Sequence, residues 1–152
     1  MNRSKLSPSA LFLITFGLGL SLAWIHPWHL TSYMYGTVVR WAGVVLLMAS
    51  LMVNILAYRE FKKSVTPHAP FMKPKVLIIN SVFSLSRNPV YLALIFSQFG
   101  LAFVFDSIWI LIAAGMLWIV LDMVIVRPEE NVLENTFKHE YENYKKMTET
   151  TL

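Results

Sequence analysis

The residues best suited to chemistry lie in two short groups in the second half of the chain. Arg87, Asn88 and Tyr91 form the first group around a proline, and Glu129 and Glu130 form the second. A guanidinium beside two carboxylates makes charge-assisted hydrogen bonds to polar ligands. If the fold brings the two groups together, the sequence predicts a binding site for a polar ligand.

Taken one at a time, the same residues have ordinary explanations. Arg87 suits an anchor beside a membrane span, Tyr91 suits an interfacial aromatic, and the macrodipole favours acids in the first turn of a helix by about 0.3–1 kcal/mol. Asp122 is harder to explain, because an ionisable group inside a span costs about 2.5–3.5 kcal/mol at the bilayer centre and usually faces a partner or a cavity. The functional interpretation therefore depends on the residues jointly.

Several common catalytic and metal-binding patterns are missing from the sequence. The chain has no GxGxxG, P-loop, GxSxG or HExxH motif and no cysteine. Four histidines are scattered over both predicted sides of a membrane, which does not predict a shared metal site: His26, His29, His68 and His139. We therefore expect no metal ion.

Four long apolar stretches predict the elements that position these residues. Apolar residues make up 56% of the 152 residues and charged residues only 14%, against about 25% in an average soluble domain. The stretches cover residues 9–25, 41–58, 89–105 and 107–126, each near the roughly 17–25 residues that a helix needs to cross a bilayer. Because they are continuously apolar, they exclude a membrane β-barrel.

The fold class that follows is all-α: a polytopic membrane helix bundle of about four transmembrane helices. We predict a single membrane domain over residues 1–152. Lysine and arginine occur before the first span, in the loop 59–88 and in the tail 127–152, whereas the loop 26–36 has none. The positive-inside rule then places both termini in the cytoplasm, as in a multi-pass protein of a bacterial inner membrane. The net charge of +4 follows from this sidedness and predicts no nucleic-acid partner.

The turn around Asp106 is so short that spans three and four must form an antiparallel hairpin. The start of span three then lies beside the end of span four, which places Arg87 opposite Glu129 and Glu130. Further along, apolar and aromatic residues recur at steps of four, four and three, a spacing typical of one face of a helix: Leu133, Phe137, Tyr141 and Tyr144. We predict a C-terminal amphipathic helix on the bilayer surface.

Two smaller signals concern packing. Gly17 and Gly19 lie mid-membrane in the first span, and we expect both to let a neighbouring helix approach closely. The run at residues 76–79 is too apolar for water, so we expect it at the membrane interface or folded against the helices.

The order of the motifs resembles one superfamily of membrane methyltransferases. The chain has Arg-Asn-Pro-x-Tyr at residues 87–91, a predicted hairpin, Glu-Glu-x-x-Leu at 129–133 and Phe-x-x-Glu-Tyr-x-x-Tyr at 137–144. The isoprenylcysteine carboxyl methyltransferase family, which is related to the phospholipid N-methyltransferases, has the pattern R-[HN]-P-x-Y-x-G, two crossing helices, E-E-x-x-L and F-G-x-E-Y-x-x-Y. The resemblance covers residues 61–146, and its specificity comes from the order and spacing of the motifs.

This resemblance implies an integral-membrane methyltransferase that uses S-adenosylmethionine without a Rossmann domain. The implied acceptor is lipophilic, either isoprenylcysteine carboxylate-like or phospholipid-like, and enters sideways between helices. Methyl transfer is an in-line displacement at a sulfonium carbon, so it needs positioning and electrostatics more than a covalent catalyst. An acidic pair beside an arginine is complementary to the ammonium and carboxylate of the cofactor's methionyl end.

The resemblance also implies a role for each candidate residue. Arg87 and Glu130 are the implied catalytic residues, and Arg87 orients a carboxylate of the cofactor or of the substrate. Glu129 and Glu130 hold the ammonium or ribose side of the cofactor. The implied cofactor-binding residues are Leu77, which lines the adenine pocket, Asn88, Pro89, Tyr91, Glu129 and Glu130, and the implied substrate-binding residues are Arg87 and Tyr144.

The chain departs from the family pattern at four positions. At three of them the family has glycine and at the fourth a basic residue: Ser81, Ala93 and Lys138, and then Met147. In the family, that basic residue is associated with the prenylcysteine carboxylate. The identity of the acceptor and its reacting atom therefore stay open.

Two other functions are compatible with the sequence. The lost glycines allow a non-catalytic membrane subunit of the same fold. A small four-helix transporter would need an acid deep in a pore-lining helix, and Asp122 is the only deep acid, near one end of span four. No residue pattern specifies an oligomeric state.

Overall fold

The computed structural model describes residues 7–31, 35–63, 81–84 and 86–147. Over these ranges the chain is helical and contains no β-strand. The six α-helices are α1 (Pro8–Ile25), α2 (Gly36–Lys63), α3 (Pro89–Val104), α4 (Ile108–Leu121), α5 (Arg127–Phe137) and α6 (His139–Met147). A short 3-10 helix (Ser81–Ser84) precedes α3, and a π-helical segment (Asp122–Val126) joins α4 to α5.

Three of the helices are long and apolar enough to cross a membrane, namely Pro8–Ile25, Gly36–Lys63 and the continuous helix Ile108–Phe137. The fourth apolar helix, α3, is shorter, at 16 residues. The protein is therefore a multi-pass membrane protein, and the predicted all-α membrane bundle is confirmed. The predicted second span, 41–58, lies within α2, which extends beyond the apolar stretch at both ends.

Small residues allow α2 to pack closely against α3. Buried positions on α2 recur every seven residues and all carry small side chains: Gly36, Gly43, Ser50 and Ala57. A Cβ added at Gly43 would lie 2.7 Å from the carbonyl oxygen of Gly100 on α3. Small residues at such a contact let two backbones approach, which is how helices gain packing energy inside a bilayer.

The first helix packs against α4 and also reaches α3. A Cβ at Gly19 would lie 3.1 Å from Cα of Ile110 on α4, so Gly19 is a packing position as predicted. The same prediction for Gly17 was wrong, because nothing lies within 4 Å of an added Cβ there. The hydroxyl of Thr15 donates to Oε1 of the buried Gln98 at 3.0 Å, which ties α1 to α3 in the interior of the bundle.

At one end of the bundle, which we call the turn end, the connection after α1 crosses the α3–α4 turn. Asp106 is buried and has a φ of 49°, a left-handed conformation that aspartate tolerates better than most residues. Its Oδ1 accepts hydrogen bonds from the backbone N–H and the hydroxyl of Thr31, each at 3.0 Å. The Ile108 N–H donates to the Trp28 carbonyl at 3.0 Å. The predicted tight hairpin is present, and the loop 26–31 is fastened across it.

At the opposite end, which we call the site end, the last helices depart from the sequence-based prediction. Because Ile108–Phe137 is continuous, α5 extends α4 without an interruption. Lys138 has a φ of 43° and breaks the helix there. The four residues expected on one helical face are therefore divided, with Leu133 and Phe137 on α5 and Tyr141 and Tyr144 on α6.

Candidate functional site

The predicted meeting of Arg87 with the acidic pair occurs at the site end of the bundle. Nε of Arg87 lies 3.5 Å from Oε1 of Glu130, and the two side chains are only 9% and 17% exposed. Arg87 stands just before α3, which begins at the buried Pro89, and Glu130 stands in the first turn of α5. The antiparallel α3–α4 hairpin brings these two helix ends together.

The second acid of the pair contacts α3 directly. The hydroxyl of Tyr91 donates to both carboxylate oxygens of Glu129, at 3.0 and 2.8 Å. Successive residues of a helix point about 100° apart, so Glu129 and Glu130 reach different partners from one turn of α5. The α3–α5 junction is thus joined by a hydrogen-bonded pair and an ion pair side by side.

A tyrosine from α6 completes the cluster. Tyr141 is fully buried, beside Glu130 and Arg87. Burial raises the pKa of the Tyr141 phenol, the carboxylate of Glu130 raises it further, and the guanidinium of Arg87 partly offsets the rise. The hydroxyl therefore keeps its proton at neutral pH. Tyr141 was not among the predicted site residues, although it belongs to the Glu-Tyr-x-x-Tyr motif at residues 140–144.

The other tyrosine of that motif has a different environment. The hydroxyl of Tyr144 donates to the backbone carbonyl of Phe83 in the 3-10 helix, which fastens α6 beneath the start of α3. Lys145 pairs with Glu134 of α5 and also lies 5.4 Å from the ring centre of Tyr141. These contacts fix α6 against the site. The substrate-binding role of Tyr144 stays a prediction.

Several polar atoms at this point are buried without a hydrogen bond. Among the residues that the structure describes, the atoms of this kind include Arg87 Nε, Asn88 Nδ2, Glu130 Oε1 and Tyr141 Oη. Asn88 occupies the N-cap position of α3, yet its side chain makes no capping hydrogen bond. Arg87 Nε and Glu130 Oε1 still face each other in the ion pair described above. A buried polar atom without a hydrogen bond costs about 1–3 kcal/mol, so this cluster is suited to accept a polar ligand.

Two predicted features are not part of this cluster. The carboxylate of Asp122 pairs with the guanidinium of Arg127 at 2.7 Å, and the side chain of Arg127 is largely exposed. The transporter hypothesis depended on Asp122, and the charge of this carboxylate is balanced by Arg127, which follows it on the same continuous helix. Leu77, the predicted adenine contact, and the apolar run 76–79 lie outside the described residues.

A cleft of about 310 Å³ lies beside α5, but on another face of that helix. Its described lining residues follow a spacing of three, four and seven, which is one helical face: Pro128, Asn131, Val132 and Asn135. Glu129 and Glu130 lie outside this stripe. No group of three or more histidine, aspartate or glutamate residues that could hold a metal occurs in the ranges that the structure describes.

Comparison with known proteins assigns the family. The model of the phospholipid methyltransferase family matches residues 38–140, well over half of the chain. The chain belongs to the phospholipid methyltransferase family. This matched region begins in α2 and contains the whole α3–α4 hairpin, Arg87 and the acidic pair. No curated protein and no solved structure matches the chain.

Membership of the phospholipid methyltransferase family indicates a membrane methyltransferase. The family is also the relative named by the sequence motifs, so that resemblance is confirmed. The match ends one residue before Tyr141, so the tyrosines of α6 lie beyond it.

Proposed function

We propose that the protein is an integral-membrane methyltransferase that takes its methyl group from S-adenosylmethionine and transfers it to a lipophilic acceptor. The acceptor class is isoprenylcysteine carboxylate-like or phospholipid-like, with O- or N-methyl transfer. The observation that carries the proposal is the convergence of Arg87, Glu129 and Glu130 at the site end, next to buried polar atoms that lack hydrogen bonds.

The chemistry of these residues fits that cofactor. Glu130 offers a carboxylate acceptor for an ammonium or ribose hydroxyl group, and Arg87 and Asn88 offer N–H donors for a carboxylate. Two carboxylates and one guanidinium give the described cluster a formal charge of −1, which favours a cationic sulfonium. The bound cofactor supplies an electrophilic methyl group.

The residues of the chain then have mainly positioning roles. Arg87 and Glu130 would fix the charged end of the cofactor, and Arg87 also serves to orient an acceptor carboxylate. Tyr91 holds Glu129 by hydrogen bonds to both of its oxygens, which fixes that carboxylate in one orientation. Holding two reactants in line lowers a bimolecular barrier by several kcal/mol, about 7–11 kcal/mol in the best intramolecular cases.

The position of the site suits an acceptor that arrives through the bilayer. The cluster stands where apolar α3 begins and where the apolar helix α4 gives way to the charged helix α5. A headgroup at this depth can meet the polar cluster while its hydrocarbon chains remain among the helices. We place this end on the cytoplasmic side of a bacterial inner membrane, because the lysines and arginines are concentrated there.

Ligand binding by the purified protein tests the proposal. We expect S-adenosylhomocysteine to bind the detergent-solubilised wild type in calorimetric titration. Arg87→Ala and Glu130→Gln should each weaken that binding about 10- to 100-fold, the effect of losing a hydrogen bond to a charged group. Glu142→Gln on α6 is the matched control, since this acid is exposed and pairs only with a histidine of its own helix among the described contacts.

Product analysis tests the second half of the proposal. Membranes that contain the protein should incorporate a labelled methyl group from S-adenosylmethionine into a lipid extract, and Glu130→Gln should abolish that incorporation. A folded wild type that gives no heat with S-adenosylhomocysteine and labels no lipid contradicts the proposal. It would favour the non-catalytic membrane subunit.

A further inference from the structure

An ion pair outside the candidate cluster stands at the start of α5. The guanidinium of Arg127 contacts Oδ2 of Asp122 through two nitrogens, Nε at 2.9 Å and Nη2 at 2.7 Å. The backbone N–H of Arg127 also donates to the carbonyl of Asp122, five residues back, which is the hydrogen bond that defines a π-helix. Both the backbone and the side chain of Arg127 are thus fixed to Asp122.

This pairing leaves one edge of the guanidinium free. A guanidinium carries five N–H donors in a rigid planar fork. The edge formed by Nε and Nη2 faces Asp122, and the edge formed by Nη1 and Nη2 has no acceptor among the described contacts. The side chain of Arg127 is 65% exposed. The free edge is therefore open to an oxyanion from outside the bundle, which it can bind through two parallel hydrogen bonds.

Arg127 lies at the depth where lipid headgroups begin. Residues 108–126 are apolar apart from Asp122, and as a helix they rise about 28 Å, close to the hydrocarbon thickness of about 30 Å. Arg127 is the next residue and the first of the charged helix α5. In a phospholipid bilayer, the anion at this boundary is the phosphodiester of the headgroup.

Two unusual features hold Arg127 in this position. An arginine that only anchors a span reaches the headgroups by itself and needs neither an acid partner nor a π-helical turn. An acid within an apolar segment is unfavourable and usually faces a functional partner, and π-helical turns occur frequently at functional sites. Both Asp122 and the π-helical segment are explained if their task is to direct the guanidinium of Arg127.

The free guanidinium edge belongs to a residue beside the candidate site. Arg127 and Glu130 both stand at the start of α5, and residues three apart on a helix are neighbours, with Cβ atoms about 5–6 Å apart. Arg127 is largely exposed, whereas Glu130 is 17% exposed and paired with Arg87. A lipid whose phosphate binds Arg127 would therefore bring the rest of its headgroup next to Glu130.

We propose that Arg127 binds the phosphate of the acceptor lipid through the guanidinium edge that Asp122 leaves free. The inference rests on the proposed function, because it treats the bound lipid as the methyl acceptor. It adds a specificity-determining residue, separate from the Arg87 and Glu130 pair, and it makes a phosphodiester the group by which the acceptor is recognised.

The test compares two lipids that differ in the phosphate-containing headgroup. Dihexanoyl phosphatidylethanolamine and dihexanoylglycerol are titrated calorimetrically into the purified protein in a nonionic detergent. We expect the wild type to bind the phospholipid at least about tenfold more tightly, and Arg127→Gln to lose about 10- to 100-fold in affinity for the phospholipid alone. Arg127→Lys should lose most of the same affinity, because lysine keeps the charge but has no planar fork.

Two further variants complete the experiment. Arg59→Gln is the matched control, since this arginine is exposed near the end of α2, and it should keep the wild-type preference for the phospholipid. Arg127→Gln leaves Asp122 without its cation. The double variant Asp122→Asn, Arg127→Gln therefore repeats the measurement without an unpaired carboxylate, and it should show the same loss.

The remaining outcomes separate the two proposals. If the wild type has no preference for the phospholipid, or if Arg127→Gln or Arg127→Lys keeps that preference, Arg127 is an ordinary membrane anchor and the inference is wrong. If Arg127→Gln abolishes binding of inorganic phosphate while both lipids bind the wild type equally, the guanidinium takes a soluble phosphate and the inference is wrong as well. The proposed function itself fails only if the folded wild type binds no S-adenosylhomocysteine, which is titrated separately.

Discussion

Ser81 and Lys138 both have a positive φ, of 60° and 43°, which is a backbone region that favours glycine. The two positions flank the candidate site, one at the start of the 3-10 helix and the other between α5 and α6. Glycine adopts this conformation without a steric penalty, whereas other residues rarely do. Glycine at either position would therefore relieve backbone strain.

The first prediction follows from this shared geometry. Lys138→Gly should relieve the strain at the α5–α6 junction and raise the free energy of unfolding by about 1 kcal/mol. Lys146→Gly is the control, since this lysine is inside α6, where glycine lowers helix stability by about the same amount. Thermal unfolding in detergent measures both. A lower melting temperature for Lys138→Gly would show that the positive φ of Lys138 does not strain the backbone.

The second prediction concerns the hydrogen bonds between Tyr91 and Glu129. Tyr91→Phe removes a donor from both oxygens of a half-buried carboxylate, so we expect the free energy of unfolding to fall by about 1–3 kcal/mol. The affinity for S-adenosylhomocysteine should fall as well, because Glu129 loses its fixed orientation. Tyr35→Phe serves as the control in the same thermal and calorimetric measurements. Unchanged values for both quantities would show that the pair does not position Glu129.

The third prediction concerns the π-helical segment before α5. A π-helical turn holds one residue more than an α-helical turn, so deleting the exposed Val124 should restore an α-helix without rotating the acidic pair. Binding of S-adenosylhomocysteine should survive. Inserting an alanine after Val124 should instead turn α5 by about 100° and abolish binding. Equal binding by the deletion and the insertion would contradict this account of the segment.

The fourth prediction uses two glycines in different surroundings. Gly43→Ala places a methyl group 2.7 Å from the Gly100 carbonyl, and the resulting separation of α2 from α3 should cost about 1–3 kcal/mol of stability. Gly17→Ala adds the same group to open space and should be neutral or stabilising by up to about 1 kcal/mol. Each variant differs from the wild type at one position, and melting temperatures measure both. A melting temperature for Gly43→Ala equal to that of Gly17→Ala would contradict the close α2–α3 contact.

The hairpin and the cluster at its end were predictable because few geometries satisfy their sequence constraints. The short turn at Asp106 forces α3 and α4 to be antiparallel, and their similar lengths then place Arg87 near Glu130. The partner of Asp122 was not predictable. An α-helix would place Arg127 out of reach, and only the π-helical segment brings the two side chains together.

The C-terminal residues show why helical spacing alone does not predict a continuous helix. Residues 133, 137, 141 and 144 satisfy an uninterrupted helix, and the pattern contains no signal for the left-handed residue at Lys138. The extra residue of the π-helical segment could not be predicted for the same reason. The segment is apolar after Asp122, so shifting the helix by one residue does not change its hydrophobic pattern. The distinct environments of Tyr141 and Tyr144 follow from that break and could not be read from their positions.

Hydrogen bonds of Thr31 and Trp28 hold the loop 26–31 across the α3–α4 turn. This affects the side of the bundle from which a lipid can enter. This fastening closes the turn end of the bundle, so the proposed acceptor is expected to come from the leaflet that adjoins Arg87 and Glu130. Its methylated product should return to that same monolayer. An asymmetric membrane would then be modified on one side alone, and any appearance of product on the far side would require a separate flippase.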